Sequence, residues 1–155
     1  MKTIKSVPIC GLKNTSDTSY WANCFALATA ARHLSPVCMT VLHLADQKPF
    51  TTKDGSTIRS IIDRTNAPVE KQSLAEARVP AGTGTQRHYH RLAEEFYFIL
   101  EGAGEMEIDG IIRSVGPGDA ILIPAGAWHT ITARETLRFL CCCAPPYAHE
   151  DTYFA

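Results

Sequence analysis

The sequence has little of what several functional classes require. Nowhere in its 155 residues does an apolar run reach the roughly 18 residues that a membrane-spanning helix needs. Basic side chains number 15 against 16 acidic ones, a net charge of −1. There is therefore no electrostatic case for nucleic acid or for an acidic membrane surface. No glycine-rich phosphate loop follows a strand-like run and opens a helix, which removes the support for a nucleotide role. Internal repeats and low-complexity segments are also missing. The six cysteines, Cys10, Cys24, Cys38 and the run Cys141-Cys142-Cys143, do not make a disulfide framework. Adjacent strand residues point to opposite faces, so Cys141 and Cys142 cannot pair without strain. Thiols used this way fit a reducing, cytoplasmic setting, with the triplet filling small buried spaces on a strand.

What is present is an ordinary soluble composition, 45% apolar and 20% charged, on a chain long enough for one domain with a substantial core. The chemistry is concentrated between Gly82 and His129. His88 and His90 are two apart, so in a strand they share one face and Tyr89 takes the other. Glu95 opens the apolar run to Leu100, and His129 follows a second glycine-marked turn. Three imidazoles and one carboxylate suit a borderline divalent metal: Fe, Mn, Ni, Co, Cu or Zn. The set has no thiolate, which argues against a structural zinc site. Glu94 is the rival carboxylate, and it should face outward if Glu95 faces in.

These residues carry a family resemblance. Gly82, His88, His90, Glu95 and Gly102 fit the cupin motif G-x5-H-x-H-x4-E-x6-G, and Gly118, Pro124, Gly126 and His129 fit its partner G-x5-P-x-G-x2-H. The chain is thus similar to small bacterial single-domain cupins. Where the family's second motif usually ends in Asn, this chain has Ala133, so any role of that Asn is absent. The resemblance implies an all-β fold, a double-stranded β-helix or jelly-roll barrel. It also implies that His88, His90, Glu95 and His129 converge on one metal, because spacing alone does not show which strands are neighbours.

Residues 1–38 differ from the rest in composition and lack strand alternation, and they read as an N-terminal extension, part helical or disordered. A helix is expected over Tyr20 to Leu34 with Ser19 as its N-cap. Pro8, Lys13 and the late apolar segment make a poor signal peptide. Met39 reads like a start, so the barrel domain is assigned to 39–155. Asp54-Gly55 and Asp109-Gly110 mark hairpin turns. Val69 to Val79 reads as a strand with Ala75, Ala77 and Val79 on one face and Glu76 and Arg78 on the other. Ala120 to Ile123 reads as a short buried strand. Phe96 to Leu100 is apolar at every position, which implies burial on both faces and, on the outer one, a homodimer. The tail from Tyr147 to Ala155 is expected to be solvated.

Parity with the histidines and with Glu95 makes Gln86 and Tyr97 candidate cavity residues. Glu76 and Arg78 join them if their face is inward, but the expectation is an exposed pair. Two functions fit this set. One is a small-molecule metalloenzyme of dioxygenase, decarboxylase or sugar- and organic-acid-isomerase type, with substrate oxygens chelating the metal. The other is a non-catalytic, metal-dependent binding or sensor module built on the same ligands. The partner in either case is a small molecule.

Overall fold

Period-two alternation runs through most of the chain beyond Met39, and it produces strands almost throughout. The computed structural model describes residues 39–155, so the expected extension, with its helix, lies outside the described residues. In chain order the strands are β1 (Phe50–Thr51), β2 (Thr57–Ile62), β3 (Ser73–Val79), β4 (His88–His90), β5 (Glu94–Glu101), β6 (Gly104–Ile108), β7 (Ile111–Val115), β8 (Ala120–Ile123), β9 (His129–Ala133), β10 (Leu137–Ala144) and β11 (Thr152–Phe154). They form a six-stranded sheet, β1-β2-β3-β10-β5-β8, and a five-stranded sheet, β11-β4-β9-β6-β7. Neighbouring strands are antiparallel in both. The two sheets make the jelly-roll barrel that the motifs implied.

The inner faces follow strand parity. Tyr97 and Ile99 of β5, Leu137, Phe139 and Cys141 of β10, Ile131 and Ala133 of β9 and Met106 of β6 form one buried cluster. Burial of such apolar surface is the main favourable term in folding. Both expected turns are present. Asp109 and Gly110 have φ of 47° and 84°, the two positive values that a type I′ hairpin needs between β6 and β7. Gly102 ends β5 at φ 83°, and a Cβ there would meet the Thr136 carbonyl oxygen at 2.2 Å. Only glycine fits that crossing.

In the single chain the outer face of β5 reaches solvent: Phe96 and Phe98 are each 42% exposed, while Glu95, Tyr97 and Ile99 point inward. Three expectations are corrected. β8 is an edge strand, with Ile123 buried and Leu122 57% exposed, rather than a buried one. The tail is not simply solvated. A 3-10 turn, His149–Asp151, leads into β11, which pairs with the histidine strand β4. Glu76 does not belong to an exposed pair. It is 2% exposed on the outer face, with the guanidinium groups of Arg59, Arg78 and Arg138 within 3.3–3.7 Å of its carboxylate.

Candidate metal centre

β4 and β9 pair with His88 opposite His129, so two histidines meet across a ladder and His90 stands two residues along. The ring centroids are 4.2 Å apart for His88 and His129, 5.2 Å for His88 and His90, and 5.6 Å for His90 and His129. One ring nitrogen from each lies within 4.8 Å of the others. All three residues are buried. Glu95 reaches the group from the opposite sheet. Its Oε2 lies 3.4 Å from His90 Nε2 and 3.7 Å from His129 Nε2. Glu94 is exposed.

The far side of each ring fixes its tautomer. His88 Nδ1 is 2.7 Å from the Gln86 carbonyl oxygen, His129 Nδ1 is 3.0 Å from that of Ala127, and His90 Nδ1 is 3.1 Å from that of Asp151. A carbonyl oxygen only accepts, so each Nδ1 donates, and in the neutral rings the lone pair is on Nε2. Nitrogens held in this way are oriented as metal-ligating histidines are. The buried Glu95 Oε2 and His129 Nε2 have no hydrogen-bond partner. The other carboxylate oxygen, Oε1, accepts from the Cys143 thiol at 3.3 Å.

The electrostatics agree with a cation-seeking site. Burial and then the neighbouring His88 push the His129 imidazole down to about 4, so it is neutral at ordinary pH. Burial would lower His90 too, but the Glu95 carboxylate outweighs it and raises that ring. Burial would raise Glu95, yet the histidines hold it below the ordinary carboxylate range. Burial, then Glu95, keeps Tyr97 a protonated phenol.

The cluster opens into a cavity of about 70 Å³, room for several waters and hence for a small ligand. Tyr97 lines it, as expected. Gln86 does not: β4 begins at His88, so the alternation does not extend back, and Thr85 takes the lining position while Gln86 is exposed. Glu76 and Arg78 are also outside it, because Ala75 and Ala77 are the inward residues of β3. Sequence reasoning missed Cys143, Asp54, Tyr147 and Asp151. Cys143 shares parity with the inward Cys141 of β10, a usable signal, whereas Asp54 lies in the turn between β1 and β2, where parity gives none. Asp151 had none in the sequence. Its carboxylate accepts from the N–H groups of Arg91, Leu92 and Ala93 just after β4.

A jelly-roll barrel with three histidines clustered on its inner wall defines a class of protein. The chain belongs to the cupin family, and residues 75–143 match the family's cupin domain. It is 48% identical over 107 residues to the uncharacterized protein MJ1618 of Methanocaldococcus jannaschii, a match covering 68% of this chain and 86% of that one. It is 37% identical over 82 residues to the dimethylsulfoniopropionate lyase DddW of Ruegeria pomeroyi, covering 52% of this chain and 53% of the lyase. Among solved structures, the polyketide cyclase RemF from Streptomyces resistomycificus superposes with a TM-score of 0.59 at 29% identity, over 69% of this chain and 80% of that one.

Proposed function

We propose that this chain is a metal-dependent enzyme acting on a small organic acid, with His88, His90, Glu95 and His129 as the metal ligands. One observation carries the reading. Two buried lone-pair atoms, Glu95 Oε2 and His129 Nε2, face each other at 3.7 Å with no hydrogen bond between them. Such an arrangement is costly unless a cation lies among the donors. Three nitrogens and one oxygen suit a borderline divalent ion. When bound, such an ion supplies Lewis-acid polarisation and, for a redox-active metal, dioxygen chemistry.

The chain's own groups then have distinct roles. The three Nδ1–H···O=C contacts hold the rings in one orientation. Cys143 holds Oε1 and leaves Oε2 to ligate. Phe139 and the inward alanines of β3 exclude water from one side of the substrate. Tyr97, as a neutral phenol on the cavity wall, can donate a hydrogen bond to a substrate oxygen. The relatives named as a lyase and a cyclase support turnover over passive binding.

The test is elemental analysis of protein purified without chelator, followed by a turnover screen of small acids with iron-, manganese- and zinc-loaded protein. Near-stoichiometric metal with turnover of at least one acid is expected. Metal without turnover of any acid would favour the sensor reading, and no metal would end both.

A further inference from the structure

The metal donors and the cupin-domain match do not account for one wall of the cavity. The segment from β1 to the end of β2 lies before residues 75–143, and its alternate residues face inward: Phe50, Thr52, Asp54, Ser56, Ile58 and Ser60, with Asp63 added beyond the irregularity near Ser60 and Ile62. This wall brings two carboxylates to a cavity that already holds Glu95. Among the described residues no lysine or arginine lines it. The guanidinium groups of the same sheet point the other way: Arg59, Arg78 and Arg138 gather around Glu76 on the outer face, at 3.5, 3.7 and 3.3 Å. The sheet thus puts negative charge inside and positive charge outside.

We propose that the cavity takes a small carboxylic acid whose other end carries a positive charge and no second anion. The inference rests on the metal reading above for the carboxylate end, since a divalent ion beside Glu95 leaves one positive charge for one acid group. The unpartnered Glu95 Oε2, on a side chain 6% exposed, marks that end of the cavity as a place for a ligand. Asp54 and Asp63 are each held by several hydrogen-bond donors. Asp54 Oδ1 accepts from the Ser56 N–H at 3.2 Å and the Ser56 hydroxyl at 2.9 Å, and from Thr52. Asp63 accepts from Ser60 and from the N–H and hydroxyl of Thr65, both at 2.6 Å. Burial would raise Asp63, but these donors hold it below the ordinary range. They stabilise the charge without cancelling it.

A phosphate or a second carboxylate would meet these two groups with no compensating cation. An onium or ammonium group meets them favourably, and it also meets the aromatic side chains of Phe50, Tyr97, Phe139 and Tyr147, which line the same cavity. Aromatic faces attract cations, most strongly where water is excluded.

The experiment uses three acids of similar size: β-alanine betaine, its uncharged tert-butyl analogue in which carbon replaces the quaternary nitrogen, and succinate. Their affinities for metal-loaded protein are measured by calorimetry. The betaine should bind about tenfold or more tighter than the uncharged analogue, and succinate more weakly than either. The pair Asp54→Asn with Asp63→Asn should bring the betaine and its uncharged analogue close together while metal content stays unchanged. Succinate or the uncharged acid binding as tightly as the betaine would overturn the proposal. So would a preference that survives the double substitution, or no binding of any of the three. Metal content on the same samples judges the other reading separately. A betaine preference in protein that holds no metal sinks the metal site and upholds this charge selection. Bound metal with a succinate preference does the reverse.

Discussion

Cys143 and Glu95 face each other across the ladder between β10 and β5, with the thiol sulfur 3.3 Å from Oε1 of the carboxylate. Burial and then Glu95 itself push this thiol well above its ordinary range, so it stays a protonated donor. It occupies one carboxylate oxygen and turns the other toward His90 and His129. Loss of such a supporting partner typically costs about tenfold or more in metal affinity. Cys143→Ala should show that loss, and Cys143→Ser, which restores a donor, should recover most of it. Competition with a chromophoric chelator measures both, and an alanine variant that binds as the parent does would make Cys143 a packing residue only.

The ligand set is tested by replacing its members singly. His90→Ala should lose most of the metal while the circular dichroism of the strands is retained. Glu95→Gln keeps the shape and an oxygen donor but removes the charge, so it should weaken binding less. Glu94→Gln should change nothing, because that side chain is exposed. Metal per chain by elemental analysis ranks the three. Metal lost from Glu94→Gln but kept by Glu95→Gln would put the register of β5 off by one.

Much of this arrangement was legible because strand parity is strict within a strand. It placed His88 with His90, chose Glu95 over Glu94 for the inner face and put Tyr97 beside it. Parity fails where a strand stops. Gln86 is two residues before His88, but β4 starts at His88 and the chain ahead of it is held otherwise, with the Gln86 N–H donating to the Asp54 carbonyl at 2.7 Å. Nor does local pattern reveal long-range pairing. Asp151 reads as a polar tail residue until β11 is seen against β4, some 60 residues away. Glu76 was misjudged for the same reason, since its arginine neighbours come from three strands.

Asp151 therefore carries a stability prediction. It is 8% exposed, and removing its carboxylate strands three backbone N–H groups that have no ladder partner there. An unmade buried hydrogen bond costs about 1–3 kcal/mol, and of the three residues only Ala93 is buried while Arg91 and Leu92 are exposed, so Asp151→Ala should lose about 2–3 kcal/mol in urea denaturation. Its effect on metal should be small, because the His90 ring is held by the Asp151 backbone carbonyl, which alanine keeps. A loss under half a kilocalorie would mean that water replaces the carboxylate without cost.

His129 sets a pH dependence for the metal-free protein. Its folded value of about 4 lies below the 6.5 of an exposed histidine. As pH falls through that window the unfolded chain takes the proton and the native one does not, so stability drops on acidification. The slope from this one group is at most about 1.4 kcal/mol per pH unit. His129→Gln should remove that part of the slope between pH 6.5 and about 4. Denaturation of chelator-stripped protein across the window gives both slopes, and equal slopes would show that the ring is not kept neutral.

The outer face of β5 bears on assembly. Leu122, Phe96, Cys142 and Leu74 lie side by side across four strands, and Ala120, Phe98 and Leu140 form the next row. Phe96 and Phe98 are each 42% exposed and Leu122 57%, so a contiguous apolar patch reaches solvent. Patches of this kind on a soluble chain mark contact surfaces. Arg78 and Glu101 lie at its edge, as a polar rim would. A second copy is the expected partner, because one flat patch meeting itself about a two-fold axis closes the assembly. Light scattering should give twice the mass of one chain at micromolar concentration, and Phe96→Glu with Phe98→Glu should give the single mass without loss of bound metal, since both side chains point away from the cavity. A chain beginning at Met39 separates this from cover by residues 1–38: it should remain a dimer. A monomeric parent at high micromolar concentration would exclude the dimer, and the patch would then need another occupant.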